Sequence, residues 1–259
     1  MRTALIGHTG FVGSNVASRH PFDDLYNTSN ISDIRHREYD LVVSAGNRAD
    51  SHRINKHPEQ DRDEIEGLID LVGQASIGKL VLISTVCVYP GGTSPDEDSA
   101  PSDENLTPYG RNRLYQEKAF GELFDTTVIR LPQLYGDGMK KGIIYDLAHD
   151  YRVEHIDPNG EFQYYDLRRL WGDIETLLEA GVSSFNAASP SLPNIRVAKA
   201  AFDIDISGNE GGSGQPPEYT RDMRTKHAAL FGGANGYIQD AEEELAGIVA
   251  FAETIKKDR

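Results

Sequence analysis

Short apolar runs punctuate the first half of the chain, each four to six residues long and separated by stretches with helical spacing. Thr3–Ile6 is the first such run and predicts a buried strand, followed by Gly7-His8-Thr9-Gly10-Phe11-Val12-Gly13 and a helix over residues 14–19. Further strands are predicted over residues 25–28, 40–45 and 79–84, with a helix over 61–74 between the last two. Pro95, Pro101 and Pro108, together with Asp96, Glu97, Asp98, Asp103 and Glu104, make residues 91–108 a loop. A helix over 109–124 and a fifth strand over Thr126–Leu131 follow. After Gly136 the pattern loosens. A helix over 167–180 and a strand over 184–187 predict a return to the sheet, residues 206–217 read as a Gly/Pro/Ser linker, and 240–257 as an amphipathic helix. Strands alternating with helices predict an α/β fold with a doubly wound parallel sheet of Rossmann type. The expected division is a sheet domain over 1–136 with the return segment 163–189, and a small lobe over 137–162 and 190–259.

Composition narrows the partners. The 259 residues include 26 Lys+Arg and 41 Asp+Glu, a formal charge of −15, so a phosphate backbone is repelled and nucleic acid is not an expected partner. No apolar run approaches the ~18 residues of a membrane span, so no membrane association is expected. The first apolar run is too short for a secretory signal, and the single cysteine, Cys87, cannot form an internal disulfide, which together predict a cytoplasmic protein. The glycosylation-like triplets at Asn27, Asn30 and Asn105 then carry no meaning. The eight histidines lack ligand spacing, so no metal site is expected.

Backbone approaches a pyrophosphate closely only where side chains are missing, and the N–H groups opening the next helix supply donors. Gly7, Gly10 and Gly13 offer that geometry, although their spacing is G-x-x-G-x-x-G instead of G-x-G-x-x-G. Thr9, Phe11 and Val12 in the same turn, with Ala45 and Gly46 after the third strand, complete the expected coenzyme contacts. A competing signal, Gly73-Gln74-Ala75-Ser76-Ile77-Gly78-Lys79, imitates a P-loop, but Leu80 replaces the metal-binding hydroxyl and a strand follows. It reads as a helix end and turn.

The fourth strand runs into Ser84-Thr85-Val86-Cys87-Val88-Tyr89-Pro90, and Pro108-Tyr109-Gly110-Arg111-Asn112-Arg113 follows the loop. Taken with the glycine turn and Arg130-Leu131-Pro132-Gln133-Leu134-Tyr135-Gly136, the chain resembles the extended short-chain dehydrogenases/reductases, the NAD(P)-dependent nucleotide-sugar epimerases, dehydratases and reductases. That resemblance implies a catalytic set of Thr85, Tyr109 and Arg113, with Tyr109 moving a proton, Thr85 bonding the substrate oxygen and Pro132 beside the nicotinamide. Working near neutrality requires shifting a tyrosine pKa by about 3 units from ~10. The family places a lysine where this chain has Arg113, which keeps the charge and can reach ribose hydroxyls but is effectively never deprotonated.

The dehydratases carry Asp-Glu after their threonine, whereas Val86-Cys87 stands here, which disfavours dehydration. Thr85-Val86-Cys87-Val88-Tyr89-Pro90 is similar to the corresponding segment of GDP-fucose synthase, whose cysteine abstracts a carbon-bound proton. The expected activity is therefore NAD(P)-dependent hydride transfer at a sugar carbon of a nucleotide sugar. The alternatives are a keto-sugar reductase of the GDP-fucose-synthase type and a catalytically silent NAD(P)-binding sensor. At the second-strand end, counting places Ser29, with Asp33 beyond it and Arg35 and Arg48 nearby. The absence of a carboxylate there leans the coenzyme toward NADP over NAD. A homodimer is the assembly to expect.

Overall fold

The computed structural model describes residues 1–210 and 221–257. The chain divides into two compact units, and the first consists of Met1–Pro90, Ser99–Leu131 and Arg168–Phe185. Its centre is a six-stranded sheet built from β1 (Thr3–Ile6), β2 (Asp24–Tyr26), β3 (Glu38–Ser44), β4 (Ser76–Thr85), β5 (Thr126–Leu131) and β9 (Ser184–Asn186), in the order β2-β1-β3-β4-β5-β9. The pairs β1·β2, β1·β3, β3·β4 and β4·β5 are parallel. Connections leave β1 in opposite directions, so a switch point lies between β1 and β3, where open α/β sheets admit ligands at the strand carboxyl ends.

Every residue of β1 is buried, as expected of a parallel strand covered on both faces. The helices of this unit are α1 (Phe11–Ala17), α2 (Ser51–Lys56), α3 (Pro58–Val72), α4 (Pro108–Leu123) and α6 (Leu170–Glu179). Ile65 and Val72 of α3 and Leu114 and Phe120 of α4 are buried; Val72 and Phe120 share one cluster with Ala4, Ile6, Val42, Leu80 and Leu82 of the sheet. The P-loop imitation at 73–79 is the α3 C-cap at Gly73, a short turn and the first residues of β4. Helix α2 is an element the apolar pattern does not announce, because only Ile54 of its six residues is buried.

The second unit comprises Gly91–Asp98, Pro132–Leu167 and Asn186–Arg259. It holds β6 (Gln133–Tyr135) paired in parallel with β8 (Tyr164–Asp166), and β7 (Glu161–Phe162) antiparallel to β10 (Leu192–Pro193). Its helices are α5 (Ile143–His149), α7 (Asn194–Phe202) and α8 (Ala241–Lys257). Within this unit Glu97 is a latch: its carboxylate accepts from the backbone N–H groups of Asn186 and Lys226 and from the Thr225 hydroxyl, at 2.6–2.9 Å. The expected linker at 206–217 falls mostly outside the described residues.

Candidate active site

The glycine turn owes its shape to backbone packing. Gly7 has φ +87°, and a Cβ on it would lie 2.5 Å from Gly46 Cα and 2.6 Å from the Ala45 carbonyl oxygen, so the turn presses directly on the chain leaving β3. A Cβ on Gly13 would stand 2.1 Å from the Gly7 carbonyl oxygen. At Gly10 the same test meets only the Gly7 oxygen, at 3.3 Å. Gly7 and Gly13 therefore close the turn on itself, whereas exposed Gly10 and Thr9 form its open rim, with Phe11 and Val12 beginning α1. Buried Ser44, at the end of β3, has a hydroxyl with no hydrogen-bond partner among the described residues. An open rim of backbone at the switch point fits a dinucleotide pyrophosphate.

At the end of β2 the structure corrects the sequence count. The strand stops at Tyr26, in register with Ile6, so Asn27 is the first residue past it; Ser29 is exposed two positions further on. The Ser29 N–H and hydroxyl both donate to Asn27 Oδ1, at 2.8 and 2.6 Å, in an Asx turn that bends the chain away after the strand. Asn27 Nδ2 also lies 3.3 Å from His8 Nε2, tying this residue to the glycine turn. Asp33 belongs to a short helical turn over Ile31–Ile34. Arg35 donates to the Ser32 carbonyl, and Arg48 pairs with Glu64 at 3.1 Å.

The third group forms at the end of β4. Thr85 caps the turn over Val86–Val88 by accepting from the Cys87 N–H at 3.2 Å. Helix α4 starts with Thr107 accepting from the Gly110 N–H at 3.2 Å and with Pro108 in its first turn. Gly110 is decisive for the approach of these two elements: a Cβ there would stand 2.0 Å from the Cys87 carbonyl oxygen. Tyr109 is further fixed by its N–H, which donates to Asn55 Oδ1 of α2 at 2.9 Å. Of the expected trio, Arg113 and Thr85 both lie close enough to the Tyr109 phenol to favour its ionised form.

Burial pushes the Tyr109 phenol above the ordinary tyrosine range, against the opposing charge of Arg113; Cys87 adds to the rise, and polar interaction with Arg113 and Thr85 counters it. The Arg113 guanidinium carbon lies 4.8 Å from the Tyr109 ring centroid. Asp61 of α3 supplies a partner that sequence reasoning missed. It receives Arg113 Nη2 at 2.8 Å and Nη1 at 3.2 Å, and it also accepts from Asn112 at 2.9 Å. A third Arg113 bond reaches the Arg48 carbonyl at 2.8 Å. One turn further along α4, Glu117 accepts from Ser84 of β4 and from Arg130 of β5, and Arg130 also donates to the Tyr89 hydroxyl at 2.6 Å. These two buried ion pairs fix the helix that carries Tyr109. Pro132 lies immediately after β5, at the start of the second unit.

A family model described as the NAD dependent epimerase/dehydratase family matches residues 22–180, more than half of the chain. The chain belongs to the NAD-dependent epimerase/dehydratase family. The matched segment contains Thr85, Tyr109 and Arg113 but begins after the glycine turn, so that part of the family assignment rests on the geometry above. Solved structures share the fold of this family member over its whole length. The UDP-glucose 4-epimerase of Thermotoga maritima with UDP-glucose is 14% identical with TM-score 0.75, covering 100% of this chain and 99% of that one. RMD from Pseudomonas aeruginosa complexed with NADPH is 18% identical with TM-score 0.69, covering 98% and 99%. The UDP-N-acetylglucosamine 4-epimerase from Methanobrevibacter ruminantium, in complex with UDP-N-acetylmuramic acid, is 13% identical with TM-score 0.74, covering 100% and 99%. No curated protein sequence matches the chain. Among the described residues no group of His, Cys, Asp or Glu is placed to hold a metal ion, and no helix is long and apolar enough to cross a membrane.

Proposed function

We propose that this family member is an NAD(P)-dependent enzyme acting at a sugar carbon of a nucleotide sugar, with Tyr109 as the proton-transfer group. The observation that carries the reading is the Arg113 guanidinium over the Tyr109 ring, its carbon 4.8 Å from the centroid, with Thr85 at the carboxyl end of β4 also favouring the ionised phenol. Similar folds solved with NADPH, UDP-glucose and UDP-N-acetylmuramic acid support the ligand classes. Bound coenzyme supplies or accepts the hydride. Gly7, Thr9, Gly10, Phe11, Val12 and Gly13 would hold its pyrophosphate side, with Ala45 and Gly46 flanking and Pro132 toward the nicotinamide. Thr85 orients the substrate oxygen by hydrogen bonding, Tyr109 exchanges the proton with it, and Arg113 holds the phenol in place and stabilises its ionised form. The second unit is the proposed substrate lobe.

Asn27 replaces Ser29 in the proposed contact to the adenosine ribose. An amide neither demands the ribose diol as a carboxylate does nor repels a 2′-phosphate, which supports NADP as the coenzyme. A second reading, a reductase that also epimerises, is favoured by the place of Cys87 in the turn directly after Thr85, against which the start of α4 packs.

Replacing Tyr109 by Phe tests the reading. Across UDP- and GDP-linked sugars offered with NAD or NADPH, turnover should fall by about 10²–10⁴-fold, the usual contribution of a positioned acid or base, while coenzyme affinity is retained. A Tyr109→Phe protein that turns over at the original rate, or a wild-type protein that binds coenzyme and turns over none of these sugars, would favour a binding role instead.

A further inference from the structure

Asp61 is almost fully buried, as is Arg113, with 6% and 3% of their side chains exposed. A buried carboxylate is costly unless it is paired, and this one is paired with the very group assigned to stabilise the Tyr109 phenolate. The two-pronged contact fills one edge of the guanidinium, and the Arg48 carbonyl takes a further N–H. Asn112, next in sequence to Arg113, donates to the same Asp61 oxygen and to the Pro58 carbonyl, so α3 and α4 are locked together at this point.

The charge consequence follows directly. The groups that act on the Tyr109 phenol are Arg113 of α4, whose guanidinium carbon lies 4.8 Å from the ring centroid, Cys87 of the turn after β4 and the neutral Thr85 of β4, while α2 contributes the neutral Asn55 amide to the Tyr109 backbone. Glu117 and Arg130 form their own pair one helical turn away. Asp61, from α3, touches Arg113 itself. Arg113 therefore acts on Tyr109 with part of its charge offset by Asp61.

Building on the function proposed above, we infer that Asp61 is a positioning residue of this site, which fixes the Arg113 guanidinium against Tyr109 and balances its charge, so that Tyr109 rests as a proton-donating phenol. A neutral phenol is the form that gives its proton to a carbonyl oxygen, whereas oxidation of a sugar hydroxyl begins from the phenolate. The pair thus suits the site to a keto sugar as substrate.

The test reads the phenol itself, without coenzyme or substrate, so that it can fail independently of the proposed activity. The near-ultraviolet phenolate signal of Tyr109 is isolated as the difference between each protein and its Tyr109→Phe counterpart during a pH titration. In the wild type the midpoint should lie at or above the ordinary tyrosine value of about 10. Asp61→Asn, which leaves the guanidinium charge unbalanced, should lower it by about one pH unit or more, a tenfold change in the ionisation constant. Because an unpaired buried arginine can prevent folding, the double variant Asp61→Asn/Arg113→Gln removes both charges together. If the pair is balanced, the double variant titrates within about half a unit of the wild type. A wild-type midpoint below about 8 overturns the inference, as does a foldable Asp61→Asn protein with an unchanged midpoint, or a double variant whose midpoint rises by a full unit.

Discussion

Asn27 shows how much chemistry can rest on where a strand ends. Counting along the sequence places Ser29 at the ribose-reading position, but the Asx turn that begins at Asn27 ends β2 earlier and leaves Ser29 donating to it. That turn is formed by side chain to backbone bonding over two residues, which apolar periodicity does not register. Asp61 was hidden for a different reason. Its partner lies 52 positions away, and an acidic residue near the start of a helix is ordinarily a solvated favourable charge at the dipole. If Asn27 occupies the ribose position, Asn27→Asp should move coenzyme preference from NADP toward NAD, because a carboxylate accepts from the ribose diol and repels a 2′-phosphate. Lost or gained like-charge contacts of about 1–3 kcal/mol correspond to a roughly 5- to 150-fold change in the ratio of the two affinities. Fluorescence titration with NADH and NADPH measures that ratio, and an unchanged ratio would remove Asn27 from the coenzyme site.

The helices and strands of the first unit were legible where they are long and one-sided. β5 is Thr126–Leu131 as expected, and α3 and α4 begin at prolines that suit a first helical turn. The second unit was harder to read: β7 and β10 have two residues each and β6 and β8 three, too short for any alternation to be recognised. α4 also shows the limit of reading a motif as a row of side chains. Tyr109 and Arg113 mark the site by their spacing, but Gly110 between them allows α4 to lie against the Cys87 turn. A methyl group there would stand 2.0 Å from the Cys87 carbonyl oxygen, on backbone that has no flexible end to swing away. Gly110→Ala should therefore displace the start of α4 and cost about 1–3 kcal/mol or more, the usual penalty of overpacking a buried contact. A fall in the denaturant midpoint together with lost turnover is the expected result. An alanine protein as stable and active as the original would mean that α4 does not need this approach.

Across the whole molecule, the buried phenols set a response to alkaline pH. Tyr109 in the first unit and Tyr164 in the second are held protonated mainly by burial, and Tyr39 by burial and by its bonds with Tyr26 and Asp24. Burial, with help from Asp222, pushes Tyr237 up to about 12. In the unfolded chain each of these groups ionises near pH 10. Between that value and the higher folded pKa the unfolded state has released protons that the folded state still holds, so the stability slope with pH is negative. The stabilisation from this source is complete below about pH 10 and drains away as pH rises through the folded values. Tyr164 makes the cleanest probe, since its hydroxyl has no hydrogen-bond partner among the described residues and contributes little to stability at neutral pH. Tyr164→Phe should leave the unfolding midpoint at about pH 8 unchanged or slightly raised and reduce its decline between about pH 9 and 11, as followed by thermal denaturation. An equal decline in both proteins would show that Tyr164 can ionise without unfolding the unit that contains it.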